Sequence, residues 1–342
     1  MGTEEREGNM LRMTCVCLLA IGLATGKTLG GTVKPSKPPD YQKFTVIAEL
    51  KGFPNEMTCL AWSPDSKLLA GGGKTREVWL WSLRNGEVTA KLNNETMGQT
   101  NWLDFSADGK LLAAGGIGGE IKIWDVEGKK LQTSLKLDLP SEVDAVHFSP
   151  DGKYLLVISG GISLWNTANG KLEYNAPEKL STAAWSRDGK QIWEGGYLGF
   201  CVRDAVSGKM VRQSGGNIEG GNQNIYCALS PDGKTAAVAS KYHNDIETKI
   251  RMYNTTSGAA LRELTVPVRD TRQLEYSADG KFLLVAGGGD VAVCNVMTGA
   301  HINLPVKIPN MGRFQCARMT SDGRVIAVAT SDGTVQLLNE KP

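Results

Sequence analysis

The chain has no excess of either charge, few histidines and no paired cysteine motif, and each shortage removes a class of function. Thirty-eight Lys and Arg stand against 36 Asp and Glu, a net charge of +2, far from the clustered positive field that binds a phosphate backbone. No nucleic-acid partner is expected. The seven cysteines (15, 17, 59, 201, 227, 294 and 316) form no Cys-x-x-Cys pair and have no histidine close enough to complete a zinc set, so no metal site is expected. Cys59, Cys227 and Cys316 sit in apolar runs and read as small hydrophobes. The three histidines, His147, His243 and His301, are far apart, and His147 reads as a core or channel-side residue. No Gly-x-Ser-x-Gly, Cys/His pair or His-x-x-x-His occurs, and carboxylates are spread evenly. Neither catalysis nor a cofactor is expected. Gly71-Gly72-Gly73-Lys74-Thr75 resembles a phosphate loop, but Leu68 stands where the motif needs glycine and a strand follows where it needs a helix. The segment reads as a β-hairpin turn.

No apolar run reaches the roughly 20 residues of a membrane helix. The longest apolar segment is Met13 to Ala24, preceded by Arg12 and followed by Ala24-Thr25-Gly26, which resembles a secretory signal peptide over residues 1–26. Glu4, Glu5 and Glu7 before the basic position suit this reading only if translation begins at Met10. Export, periplasmic or extracellular, is the expectation, with a cytoplasmic tail as the alternative. Residues 27–40 carry three prolines with no periodic apolar face and read as a solvated linker.

What the chain has in abundance is glycine, 41 residues without a three-residue period, which points to tight turns in an all-β protein. One tetrapeptide recurs seven times: Ser63-Pro64-Asp65-Ser66, Ser106-Ala107-Asp108-Gly109, Ser149-Pro150-Asp151-Gly152, Ser186-Arg187-Asp188-Gly189, Ser230-Pro231-Asp232-Gly233, Ser277-Ala278-Asp279-Gly280 and Thr320-Ser321-Asp322-Gly323. The aspartates are spaced by 43, 43, 37, 44, 47 and 43 residues. Apolar runs flank each copy, and a third run ends in an aromatic in several units, as at Trp81, Trp124, Trp165 and Tyr253. Such units cannot bury both sheet faces alone and must pack on one another. The tetrapeptide is turn chemistry joining the first two strands of each unit.

These repeats resemble the WD40-repeat family across residues 41–342. Only Trp124-Asp125 is a literal Trp-Asp, and the family's Gly-His pair is missing; the six-bladed TolB-like family shares the turn but not the seven copies. The resemblance implies a seven-bladed β-propeller. The last unit has residues for only three strands, so Thr45 to Leu50, which has the fourth-strand pattern but no preceding three, is expected to complete the seventh blade.

In propellers of this family, loops leading into first strands and those between second and third strands crowd one face, the default docking site. Aligned units place Glu56, Thr58, Asn101, Glu142, Asp144, Lys179, Asp270, Arg272, Arg313 and Gln315 there, acidic on blades one and three and basic on six and seven. Tyr242 adds an aromatic anchor in a long blade-five loop, near the Gly/Asn-rich segment 214–224. The expected function is a monomeric, non-catalytic scaffold for a protein or peptide. The alternative is a small-ligand binder or enzyme using the central channel, which convergent, perturbed polar groups there would favour. Asn-x-Thr triplets at Asn94 and Asn254 leave glycosylation open.

Overall fold

A computed structural model describes residues 39–95, 98–137, 142–176, 180–196, 199–214, 225–240, 247–306 and 314–341. The proposed leader, most of the linker, Lys179, Tyr242, Arg313 and the centres of both long blade-five loops lie outside them. So does the side chain of Gln315, whose backbone lies in a strand.

Seven sheets of four antiparallel strands account for all 28 strands of the described residues. Each is built from consecutive strands in order, save one. The first strands are Met57–Trp62, Thr100–Phe105, Ala145–Phe148, Leu180–Trp185, Ile225–Leu229, Thr271–Tyr276 and Phe314–Met319. Each packs beside the next and the last beside the first, so they form a closed inner ring. This is a seven-bladed β-propeller.

The recurring tetrapeptide closes the hairpin between first and second strands, as its chemistry requires. In blade three, Ser149 Oγ donates to Asp151 Oδ1 (2.7 Å), which also accepts from Lys153 N (3.1 Å), while Ser149 Oγ accepts from Tyr154 N (3.0 Å). The same three bonds recur in blade five at Ser230, Asp232, Lys234 and Thr235. The serine hydroxyl holds the Asp108, Asp151, Asp188 and Asp232 carboxyls below the usual range. Glycine supplies φ near +70° at positions such as Gly152 and Gly233; blade one has Ser66 there, at φ +57°. At the third-strand end an Asx turn recurs: Asp125, Asn166, Asp204, Asn254 and Asn295 each accept backbone N–H bonds from the next few residues. Asparagine accepts these bonds as well as aspartate, so a single Trp-Asp suffices.

The ring closes through the two ends of the repeat region. Phe44–Leu50 pairs antiparallel with Val335–Glu340, from Phe44 opposite Glu340 to Leu50 opposite Val335, with a bulge between Val46 and Ala48. Phe44 and Leu50 are buried. Just before the strand, buried Tyr41 packs its ring on Phe44 and Phe282 and donates its hydroxyl to Gly323 O (3.3 Å).

One local expectation is corrected. The segment around Gly71 is not itself a turn: Leu68–Gly73 is a second strand, and the chain reverses over residues 74–76. A Cβ on Gly71 would stand 2.7 Å from the Trp81 ring, so glycine is there to seat the tryptophan. The first strand of blade three begins at Ala145, and Val143 just before it bonds its N–H across to Gly116 O of blade two (3.0 Å).

Candidate partner-binding face and axial channel

On the loop-crowded face, the turn between second and third strands is tied to the loop that leads into the first strand. Lys74 N donates to Glu56 O, Ile117 N to Gln99 O and Asp144 N to Ile158 O, each at 2.9 Å. A Cβ on Gly73, Gly116 or Gly287 would collide with the carbonyl oxygens of Glu56, Gln99 or Asp270. Close backbone approach, rather than left-handed backbone, requires these glycines.

The expected contact residues divide by what they already touch. Thr58 Oγ1 donates to Thr100 O of the next blade, and Asn101 Nδ2 donates to Glu142 Oε1 (2.8 Å) and Val143 O (3.2 Å) of the next. Both side chains stitch blades together. Glu56 forms an ion pair with Lys74 Nζ at 2.5 Å, which offsets the acidic character expected of blade one. Glu142, Asp144, Asp270 and Arg272 are exposed. Burial first, and then neighbouring Glu142, push the Asp144 carboxyl above its ordinary range. Asp270 has φ +49° and adjoins Arg269, which pairs with Asp290 at 3.6 Å. The acidic and basic ends of the described face are thus Glu142 with Asp144 on blade three, and Arg272 on blade six. Asn94, at the start of one Asn-x-Thr triplet, is fully buried and donates Nδ2 to Thr100 Oγ1 (2.9 Å), so the folded chain does not offer it to a glycan.

Residues 42–160 match the family model described as eukaryotic translation initiation factor eIF2A. The protein HIRA of rice (Oryza sativa subsp. japonica) is 39% identical over 54 residues, and that of maize (Zea mays) 36% over 56. Each match covers 16% of this chain and 6% of the plant protein. These local matches coincide with repeats already seen to build seven four-stranded blades. The chain is a seven-bladed β-propeller whose repeats are similar to those of WD-repeat proteins.

Several polar residues of this propeller lie not on the loops but on the inner ring. The position one residue before the first-strand end is occupied around the ring by Ala61, Asp104, His147, Ala184, Ala228, Glu275 and Arg318. Asp104 Oδ2 accepts from Phe148 N (2.8 Å), Glu275 Oε2 accepts from Met319 N (3.2 Å), and Arg318 Nε donates to Leu60 O (3.0 Å), each reaching the following blade. Burial pushes the Asp104 carboxyl up to about 7, pushes Glu275 up as well, and pulls His147 down to about 4. His147 meets the Trp102 ring edge-on at 5.4 Å, and Arg318 lies over the other participant in that contact, with Cζ 4.6 Å from the Trp102 centroid. Sequence reasoning left His147 as a core or channel-side residue and missed Asp104, Glu275 and Arg318. Aligning the units one position earlier than their strand ends would have shown them. Among the described residues no group of three or more His, Cys, Asp or Glu could hold a metal ion, and no helix is long and apolar enough to cross a membrane.

Proposed function

We propose that this propeller is a non-catalytic scaffold that binds a protein or peptide on its loop-crowded face, between the acidic end at Glu142 and Asp144 and the basic end at Arg272. The observation that carries the reading is the exposure of these charges on loops pinned to a rigid ring, while Thr58 and Asn101 are committed to the blade junctions. Charges of opposite sign at opposite sides of one face orient a polypeptide and set its register more than they add raw affinity. Tyr242, Lys179, Arg313 and Gln315 belong to the same proposed surface. Export past a cleaved leader is part of the proposal, and N-terminal sequencing of the mature protein tests it: a start at Met1 or Gly2 refutes cleavage.

The binding test uses the folded chain as bait and compares Arg272→Glu and the pair Glu142→Lys, Asp144→Lys with a control on the opposite face, Lys190→Glu. A captured protein that is lost with either face variant and kept with the control supports the reading. A partner indifferent to all of them, at wild-type melting temperature, refutes the assignment of this face.

A further inference from the structure

We propose that the axial channel contains a carboxylate receptor built on Arg318, separate from the loop-crowded face and independent of the reading given to it. Two contacts fix the guanidinium: Nε donates to Leu60 O of blade one at 3.0 Å, and the Cζ centre lies 4.6 Å over the Trp102 ring of blade two. Together they set the plane and direction of the fork. Neither Nη atom has a protein hydrogen-bond partner among the described residues, and no carboxylate there comes within the 4.0 Å of an ion pair with it. The Trp102 indole N–H and the His147 ring nitrogens also have no hydrogen-bond partner there. All of these side chains are partly solvent-accessible although they stand on the innermost strands, so their accessible sides line the axis.

A guanidinium whose Nε is occupied and whose face is stacked presents its two Nη groups as a preorganised pair of parallel donors, the geometry that grips a planar carboxylate. The surrounding charge selects the class of ligand. The titratable groups whose fields reach Arg318 are Asp104, Glu275, His147 and the thiols of Cys59 and Cys316. Burial pushes both thiols up, so they stay protonated, and His147 stays neutral. The fixed charges are therefore one guanidinium and two carboxylates beyond contact distance. A dianion such as phosphate doubles attraction and repulsion alike and costs more to desolvate, and the flat fork matches a planar carboxylate, so a monocarboxylate fits best. Asp104 carries the linkage. Its proton relieves one of the two repulsions, so carboxylate binding draws a proton onto Asp104 and strengthens as pH falls from 8 to 6.

The carboxylate could belong to a small acid or to a peptide C-terminus, and the experiment separates the two. Calorimetry or NMR titration of the full chain would use benzoate, inorganic phosphate, and a tetrapeptide with a free or an amidated C-terminus. The expected result is saturable binding of benzoate or of the free-ended peptide only, with the amide and phosphate at least tenfold weaker. Arg318→Lys keeps the charge and loses the fork, and should weaken binding by roughly tenfold or more. Asp104→Asn should bind at pH 8 as the wild type does at pH 6, with a flat pH profile, an effect that a purely structural role would not produce. No saturable binding of either carboxylate up to about 10 mM, or full binding by a folded Arg318→Lys, overturns the proposal. Should Arg318→Lys fail to fold, the Asp104→Asn profile decides: a wild-type pH dependence in that variant overturns it.

Discussion

Blade four replaces an aromatic with an ion pair, and the replacement makes a quantitative prediction. Elsewhere the third-strand aromatic packs near a small or apolar second-strand residue: Trp81 on Gly71, and Trp165 in one buried cluster with Val157, two residues beyond its register partner Leu155. In blade four the equivalent positions hold Arg203 and Glu194. Their side chains are 5% and 0% exposed, with Arg203 Nε 2.7 Å from Glu194 Oε1 and Nη2 3.3 Å from Oε2. Arg203 Nη1 donates to Gly208 O (2.6 Å), and the Cys201 thiol donates to Glu194 Oε2 (3.0 Å). Glu194→Gln preserves volume but leaves a buried guanidinium without its counter-charge. Breaking one half of such a pair costs about 3–5 kcal/mol. For a fold of this size, at about 2 °C per kcal/mol, the melting temperature should fall by about 6–10 °C.

The complementary perturbation removes both charges. Glu194→Val with Arg203→Trp rebuilds the arrangement of blade three, and replacing a buried pair with packed apolar groups is neutral or stabilising by about 1–4 kcal/mol. Arg203→Trp alone should destabilise, because it strands a fully buried carboxylate. Thermal and denaturant unfolding of the two singles and the double form a cycle. A coupling of several kcal/mol is expected, with the double at or above wild type. Glu194→Gln within about 1 kcal/mol of wild type, or singles that simply add, would refute the claim that each charge is held buried by the other.

Deletion of residues 43–50 strips the fourth strand from the closing blade and two buried side chains with it, at about 1.5–3 kcal/mol each. Because the third strand Val335–Glu340 is then an open edge, the product should aggregate; unchanged solubility and melting would refute closure by this strand. Gly116→Ala drives a methyl into the Gln99 carbonyl and should cost about 2 kcal/mol or more, measured by chemical denaturation. The Tyr174 hydroxyl is buried without a partner among the described residues, so Tyr174→Phe should be neutral or stabilise by about 1 kcal/mol. The channel groups bend stability with pH in opposite senses. Asp104, raised from 3.8 to about 7, contributes stability below the lower value that is lost as pH rises through the upper, so Asp104→Asn should gain on the wild type in melting temperature as pH rises from about 4 to about 7 and hold that gain above it. His147, lowered from 6.5 to about 4, contributes stability above the higher value that is lost as pH falls through the lower, so His147→Asn should flatten the acid limb.

What could be seen in the amino-acid order was whatever chemistry is local. The Ser-x-Asp-Gly turn is closed by bonds spanning two to five residues, so its seven copies gave the blade count and the hairpin positions directly. Closure was visible because Thr45 to Leu50 had a strand pattern and no blade of its own. Long-range pairing was less visible. The aromatic pattern lapses at Arg203, but its partner Glu194, on the neighbouring strand, does not declare itself without the register. Thr58 and Asn101 were assigned to a partner because alignment locates a residue at a loop but does not show the carbonyl that the next blade presents to it.

The missing Gly-His pair can now be set beside what holds the blades together. Asp104 and Glu275 bond the last residue of the following first strand, Arg318 and Gln273 reach its third-from-last residue, and Thr58 and Asn101 bond at or just before its start. The junctions between blades two and three and between six and seven are therefore each held at two points by such side chains. The consequence is a separation of roles. A substitution at Thr58, Asn101 or Gln273 loosens the ring and disturbs any bound partner through the frame, with a fall in melting temperature. A substitution at Asp144 or Arg272 acts on exposed charge and leaves the frame as it was, and one at Glu142 gives up one of the two bonds that Asn101 makes to the next blade. A binding defect identifies the docking surface only when the melting temperature stays put, and that criterion divides the aligned loop residues into the two groups the geometry already separates.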